Sequence, residues 1–182
     1  MTAPFRLESL AQHDRPGFAC AADALDRYFK TMVTQDIRRH LANCFVAVEV
    51  ASGDVAGFRT IAAAGIPTPE LSPEITKLLP RYPTLPAVRI GRLAVDQRFR
   101  GQGLGAAVLA DAAAKALQEP AAAFALLVDA KSAAAVAFYE HHGFQRFKSL
   151  PRVLFLPLAT AEKSLRADRK KQAEEVLTQL SP

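Results

Sequence analysis

Residues 88–105 read VRIGRLAVDQRFRGQGLG, and a strand, a basic turn and a helix start follow one another inside them. Residues 88–95 are rich in β-branched and aliphatic side chains, the composition of a strand. Gly101, Gly103 and Gly105 then alternate directly before an apolar, alanine-rich run that predicts a helix. Glycines at this spacing let the backbone turn tightly with no Cβ in the way. Several N–H groups then aim at one cluster of ligand oxygens at the positive end of the helix. Arg98 and Arg100 add full charges beside it. A phosphate or a pyrophosphate suits such a loop; the competing reading is a glycine-rich turn that binds nothing.

Three kinds of phosphate-binding loop share these features. A Walker A loop needs Gly-Lys-Ser/Thr, and here Gly105 is followed by Ala106 and Ala107, which excludes it. The dinucleotide fingerprint fits Gly101, Gly103 and Ala106, with Asp129 closing a later apolar run at roughly the right distance. In that motif the first glycine ends the strand, whereas here residues 96–100 intervene and about half the sequence precedes the motif. The third, Arg-x-x-Gly-x-Gly over residues 100–105, resembles the acyl-CoA pyrophosphate loop of the GCN5-related N-acetyltransferase (GNAT) superfamily.

Half of the 182 residues are hydrophobic, enough for one domain with a proper core. No apolar run approaches ~20 residues, and the N-terminal MTAPFRLESLAQHD has no apolar signal core. A cytoplasmic protein without a membrane span is expected. Cys20 and Cys44 are the two cysteines and lack metal-ligand spacing, and the four histidines form no HExxH pattern, so no metal is expected. The net charge of +5 suits a polyanionic partner and equally an ordinary basic surface.

In chain order, residues 5–10 read as a strand. Over residues 23–41, Leu25, Tyr28, Phe29, Met32 and Ile37 recur at helical steps opposite Arg27, Lys30, Arg38 and Arg39, which predicts one amphipathic helix with a basic, solvated face. Runs at 44–50 and 55–64 around Ala51-Ser52-Gly53-Asp54 predict a hairpin supplying the middle strands of the sheet. Residues 66–86 are proline-rich and read as an ordered excursion with a short helix begun by Ser72 and Pro73. A helix over 103–118 buries Leu104, Val108, Ala112 and Ala116, and 125–129 is a buried strand. Ser132 caps a helix through His142, Gly143 takes the left-handed position after it, and strands follow at 144–148 and 153–158. From residue 161 the chain is charged with mixed signs, a solvated helix or a frayed tail. The division expected is a domain over 1–160 and a tail over 161–182.

Strand, glycine loop, helix, strand, then a helix carrying Ala-Phe-Tyr-Glu before Gly-Phe is the order of the acyl-CoA core of the GNAT superfamily. The segment VDAKSAAAVAFYEHHGF, residues 128–144, resembles its second signature. The segments GRLAVDQRFRGQGLG, LLVDAKSAAAVAFYEHHGF and RVLFLPL closely resemble the acetyltransferase toxins of bacterial toxin–antitoxin pairs that acetylate aminoacyl-tRNA. FACAADALDRYF, IPTPEL and PRYPTLP extend the likeness to roughly residues 18–159. GFRTIAAAG stands where such toxins often carry a tyrosine-containing strand ending in serine, and residues 118–122 look shortened.

The resemblance implies an α/β (α+β) GNAT fold: a mixed central sheet of six to seven strands flanked by helices, with the acyl-CoA cleft between two splayed central strands. It implies acetyl-CoA as co-substrate. The backbone of Leu93, Ala94 and Val95 would pair with the pantetheine, and Arg100, Gly101, Gln102, Gly103, Leu104 and Gly105 would hold the pyrophosphate. Tyr139 would protonate the departing thiolate; a phenol titrating near ~10 is close enough to a thiol at ~8.5 to serve. Without that context Tyr139 reads as a packed helix aromatic, and Phe138 reads as core. Aminoacyl-tRNA is the implied acceptor, with Lys30, Arg38, Arg81, Arg89 and Arg92 as candidate tRNA contacts. A ribbon-helix-helix antitoxin, a homodimer, and operator DNA reached only through the antitoxin are implied as partners. The rival readings are acetylation of a small amine or a protein N-terminus, and a non-catalytic acyl-CoA-binding partner of a repressor.

Overall fold

In the computed structural model, which describes residues 4–180, seven strands form one sheet in the order β1-β2-β3-β4-β5-β7-β6. The strands are β1 (Phe5–Ser9), β2 (Asn43–Glu49), β3 (Val55–Pro67), β4 (Thr84–Val95), β5 (Ala125–Asp129), β6 (Gln145–Arg146) and β7 (Val153–Pro157). The helices are α1 (Asp23–Thr31), α2 (Val33–Arg38), α3 (Pro73–Thr76), α4 (Leu104–Gln118), α5 (Ala133–His141) and α6 (Leu158–Leu180). Only β4 and β5 run parallel, because helix α4 lies between them as a crossover; the other neighbours are antiparallel. This is the mixed, helix-flanked sheet expected. The fourth position in it belongs to β4, so the β2–β3 hairpin sits to one side of the centre and not at its middle.

Two apolar layers sandwich the sheet. On one face α4, α5 and α6 bury Leu109, Ala112, Val136 and Ala161 against Ile90, Leu126 and Val128. On the other, α1 and α2 bury Phe29 and Val33 against Val46 and Phe58; the rings of Phe29 and Phe58 stack 4.2 Å apart and Phe18 packs edge-on to both. The excursion between β3 and β4 continues this second layer, with Ile66 and Leu71 against Leu85, Ala87 and Leu127. Among the described residues no helix is long and apolar enough to cross a membrane.

The single helix expected over 23–41 is two, broken at Met32, which is 47 % exposed and not part of the apolar stripe. Thr31, Val33 and Thr34 crowd three β-branched side chains around the break. Thr31 Oγ1 also donates back to the Arg27 carbonyl at 2.7 Å, a bond that bends helices. Ser72 precedes α3 but makes no side-chain cap, and α3 is four residues long. Ser132 does cap α5, its Oγ accepting the Ala135 N–H at 3.1 Å. The strand expected over 144–148 shrinks to two residues.

Candidate active site

The parallel ladder between β4 and β5 runs from Ala87↔Ala125 to Ile90↔Val128 and stops, while β4 continues to Val95. Past Ile90 the two strands part, and the β5-side backbone edge of β4 is open. The parting coincides with a bulge: Ile61 pairs with Ile90 and Thr60 with Arg92, leaving Gly91 over. A Cβ on Gly91 would stand 3.1 Å from Thr60 Oγ1, so any larger residue at the bulge would have to push the Thr60 side chain aside. Beyond it Leu93 and Val95 return to the α4 face, while Ala94 joins the α1 layer.

The open edge leads into a cavity of about 330 Å³ walled by Leu93, Ala94 and Val95, by Cys20, Ala22 and Leu25, and by Arg100, Gly105 and Phe138. A second hollow of about 290 Å³ adjoins it around the glycine loop, sharing Val95, Arg100, Gly105 and Phe138 and adding Gly101, Gly103, Leu104 and His142. Gly101 and Gly103 take φ of +76° and +74°, where L side chains are strained. Among the described residues, no hydrogen bond is donated by the N–H groups of Gly101, Gln102, Gly103, Leu104 or Gly105. Five unspent donors at the start of the fifteen-residue α4 form an anion cradle. A larger hollow of about 720 Å³ lies at the far end of β4, under Pro69, Leu79 and Tyr82, away from this cradle.

The loop arginines are tied to protein. Arg98 Nη1 reaches Asp54 Oδ2 at 2.6 Å, and Arg98 also donates to Asp96. Arg100 donates to the Cys20 carbonyl oxygen. Asp96, 1 % exposed, accepts from the Ala19 N–H at 3.0 Å and the Arg98 N–H at 2.9 Å. Burial alone would raise its pKa, but the hydrogen bonds from Arg98 and Ala19 hold it below the usual carboxylate range. Asp96 and Arg100 therefore pin residues 19–22 to the loop and build one wall of the cavity. Nothing in the sequence pattern flagged Asp96, because the contact that makes it structural, to the Ala19 N–H, lies 77 residues away.

Tyr139 and Phe138 exchange the surroundings expected of them. Phe138 lines both hollows, its ring 3.5 Å from where a Cβ on Gly105 would stand. Tyr139 lies behind it, 9 % exposed, with ring centroids 5.2 Å from Phe138 and 5.3 Å from Phe144. Burial pushes the Tyr139 phenol up to about 12. Cys20, also in the wall, is pushed up to about 11, foremost by burial and then by Asp26.

The five basic candidates spread over the molecule. Lys30 is half-buried on α1 and Arg38 exposed on α2. Arg92 stacks over the Tyr28 ring, 3.5 Å from its centroid, and Tyr28 donates to Asp36 at 2.8 Å. Arg89 Nη1 donates to Asp129 Oδ2 at 2.9 Å. Arg81 borders the far hollow, apart from the other four.

A bulged central strand parting from its parallel neighbour, and a cradle of free N–H groups where it ends, define an acyl-CoA-dependent acyltransferase. The chain belongs to the acetyltransferase (GNAT) domain family, whose pattern it matches over residues 40–146. It is an acetyl-CoA-dependent acetyltransferase. It is 28 % identical over 158 residues to a probable toxin TacT of Sinorhizobium fredii, covering 82 % of this chain and 87 % of that one. It is likewise 28 % identical over 162 residues to a tRNA-acetylating toxin of Mycobacterium tuberculosis, covering 88 % and 94 %. Among solved structures, AtaT complexed with acetyl-methionyl-tRNAfMet superposes with a TM-score of 0.80 at 25 % identity, covering 88 % and 99 %.

Proposed function

We propose that this chain is the toxin of a type II toxin–antitoxin pair, which transfers acetyl from acetyl-CoA to the α-amine of aminoacyl-tRNA and so blocks translation. The observation that carries the acyl-CoA half is the row of unspent N–H donors at residues 101–105 beside the open edge of β4. In this reading those donors hold the pyrophosphate, and the backbone of Leu93, Ala94 and Val95 pairs with the pantetheine. Arg100 acts by shaping the wall through Cys20 and adds long-range charge. Tyr139 gives its proton to the departing thiolate.

The acceptor half rests on the relatives, one a tRNA-acetylating toxin and one complexed with acetyl-methionyl-tRNAfMet. Chemistry supports it. A free α-amine titrates near ~8 against ~10.4 for lysine, so a useful fraction is already neutral at cytosolic pH. Attack on the thioester then depends mainly on positioning. The same family reading supplies a DNA-binding antitoxin of ribbon-helix-helix type, a homodimer, and operator DNA reached through the antitoxin.

The test is transfer of label from acetyl-CoA to a charged total-tRNA pool, with deacylated tRNA, polyamines and a lysine peptide alongside. Label in charged tRNA alone is the expected result. Label only in a polyamine or the peptide would keep the acetyltransferase and discard the toxin.

A further inference from the structure

The acetyl acceptor must arrive where β4 and β5 part, and the side chain standing at that point is Asp129. Ile90↔Val128 is the last parallel pair, so Asp129 is the first β5 residue beyond the ladder. Alternation fixes its face. Leu126 and Val128 pack with Tyr139 in the layer under α4 and α5, whereas Ala125 and Leu127 pack in the opposite layer. Asp129 falls on the Leu127 face, and its ion pair with Arg89 at 2.9 Å confirms it, since Arg89 follows Leu85 and Ala87 of that same layer. Arg92, stacked on Tyr28 of α1, lies on this face as well. Tyr139 and Asp129 therefore belong to opposite faces of the sheet, with Asp129 at the end of the β4–β5 ladder.

We propose that Asp129 receives the ammonium group of the acceptor and takes its proton; the inference rests on the acetyltransferase assignment and on the amine acceptor proposed above. One carboxylate oxygen of Asp129 accepts from Arg89, and no other hydrogen bond to the carboxylate forms among the described residues. Its side chain is 34 % exposed, open to an incoming amine. The other carboxylates near the cleft have partners elsewhere, and none of them stands at the end of the β4–β5 ladder. Asp96 accepts from Ala19 and Arg98, Asp26 from the Cys20 N–H, Asp36 from Tyr28, and Asp111 faces Arg59 and Lys115. Arg89 holds the carboxylate in place at the end of the ladder.

The step balances as follows. The acceptor ammonium passes one proton to Asp129, and the neutral amine attacks the thioester carbonyl from the Asp129 face to form the C–N bond. The C–S bond breaks as the nitrogen sheds its second proton to solvent, and the thiolate takes a proton from Tyr139 on the other face. Amide and free thiol leave, and Asp129 and Tyr139 return to their starting forms through solvent. Charged or titratable groups on the neighbouring elements include Arg89 and Arg92 of β4, Asp23, Asp26, Arg27, Tyr28 and Lys30 of α1, Asp36 and Arg38 of α2, and Lys131 and Arg152, joined by a hydrogen bond from Arg152 to the Lys131 carbonyl next to β5 and β7.

The experiment compares wild type with Asp129→Asn for acetylation of charged tRNA between about pH 6.5 and about pH 9, spanning the α-amine titration. Acetyl-CoA affinity is measured on both. Asp129→Asn should lose about 10²-fold in kcat/KM at the acidic end and recover most of it at the alkaline end, where the amine is already neutral. Acetyl-CoA affinity should change by less than about twofold. Wild-type kcat/KM at the acidic end, or a loss equal at every pH with weakened acetyl-CoA binding, overturns the assignment. Asp129→Ser gives the same readout should the amide variant not fold. If the wild type labels a polyamine or peptide instead of charged tRNA, the tRNA reading fails and Asp129 is judged on that amine. Its alkaline recovery should then move up toward ~10.4.

Discussion

In the reaction we propose, Tyr139 stays neutral until the thiolate departs, and its burial makes that easy and proton release harder. With the phenol pushed up to about 12, the gap to a free thiol at ~8.5 is wider than for a solvated tyrosine. Tyr139→Phe should reduce kcat by about 10²–10⁴-fold with acetyl-CoA affinity intact. Thermal stability should barely move, because the hydroxyl has no hydrogen-bond partner among the described residues. The acid acts in its protonated form, so activity falls only as pH rises through the folded pKa. The pH–rate profile should show no alkaline limb from Tyr139 below about pH 11. Arg59 is the opposite kind of residue. It is fully buried on β3, its Nη2 2.7 Å from Asp111 Oδ2 and its guanidinium 4.6 Å from the Phe45 ring centroid. Asp111→Ala would strand that charge and should cost about 3–5 kcal/mol in urea unfolding. The sequence did not reveal this pair, because an arginine on a strand reads as a surface residue and its counter-ion sits on a helix about fifty residues later.

At the scale of elements, what was legible was what local chemistry dictates. The glycine loop, the α4 stripe, the Ser132 cap and the left-handed Gly143 needed no distant partner. Boundaries set by tertiary pairing were not legible. Strand β4 begins at Thr84, four residues before the expected start, despite Pro86. Pro86 pairs with Gly65 of β3 just before the β5 ladder begins at Ala87, so its missing N–H falls where β4 is still an edge strand. The wall of the cleft formed by residues 19–22 was equally hidden, since Asp96 and Arg100 assemble it across the chain. Asp96→Ala should release that wall. It leaves the Ala19 and Arg98 N–H groups without their acceptor, so a loss of about 1–3 kcal/mol in stability is expected. The KM for acetyl-CoA should rise about tenfold while kcat on saturated enzyme changes little. A KM that stays at the wild-type value would mean that residues 19–22 do not shape the cofactor site.

For the whole molecule, the placement of charge relative to the gap between β4 and β5 decides how a tRNA would lie in the reaction we propose. Lys30 and Arg38 sit on the α1–α2 layer, the layer that also carries Arg92 and, on the neighbouring strand, Asp129. An acceptor end reaching Asp129 from that side brings its phosphates past α1 and α2. Arg81 sits instead beyond the opposite end of β4, a strand of twelve residues and so about 40 Å long. Phosphate contacts release counter-ions, so the logarithm of kcat/KM for charged tRNA should fall linearly with the logarithm of salt concentration. Replacing Lys30 or Arg38 by glutamine should make that slope shallower by about one unit each, with acetylation of a small amine unaffected. Arg81→Gln should leave the slope unchanged if the tRNA footprint stops at the cleft. A shallower slope for Arg81→Gln as well would extend the footprint along the full length of β4, with the acceptor stem running over the proline-rich excursion. Unchanged slopes for Lys30→Gln and Arg38→Gln would put the tRNA on another face and remove the α1–α2 approach to Asp129.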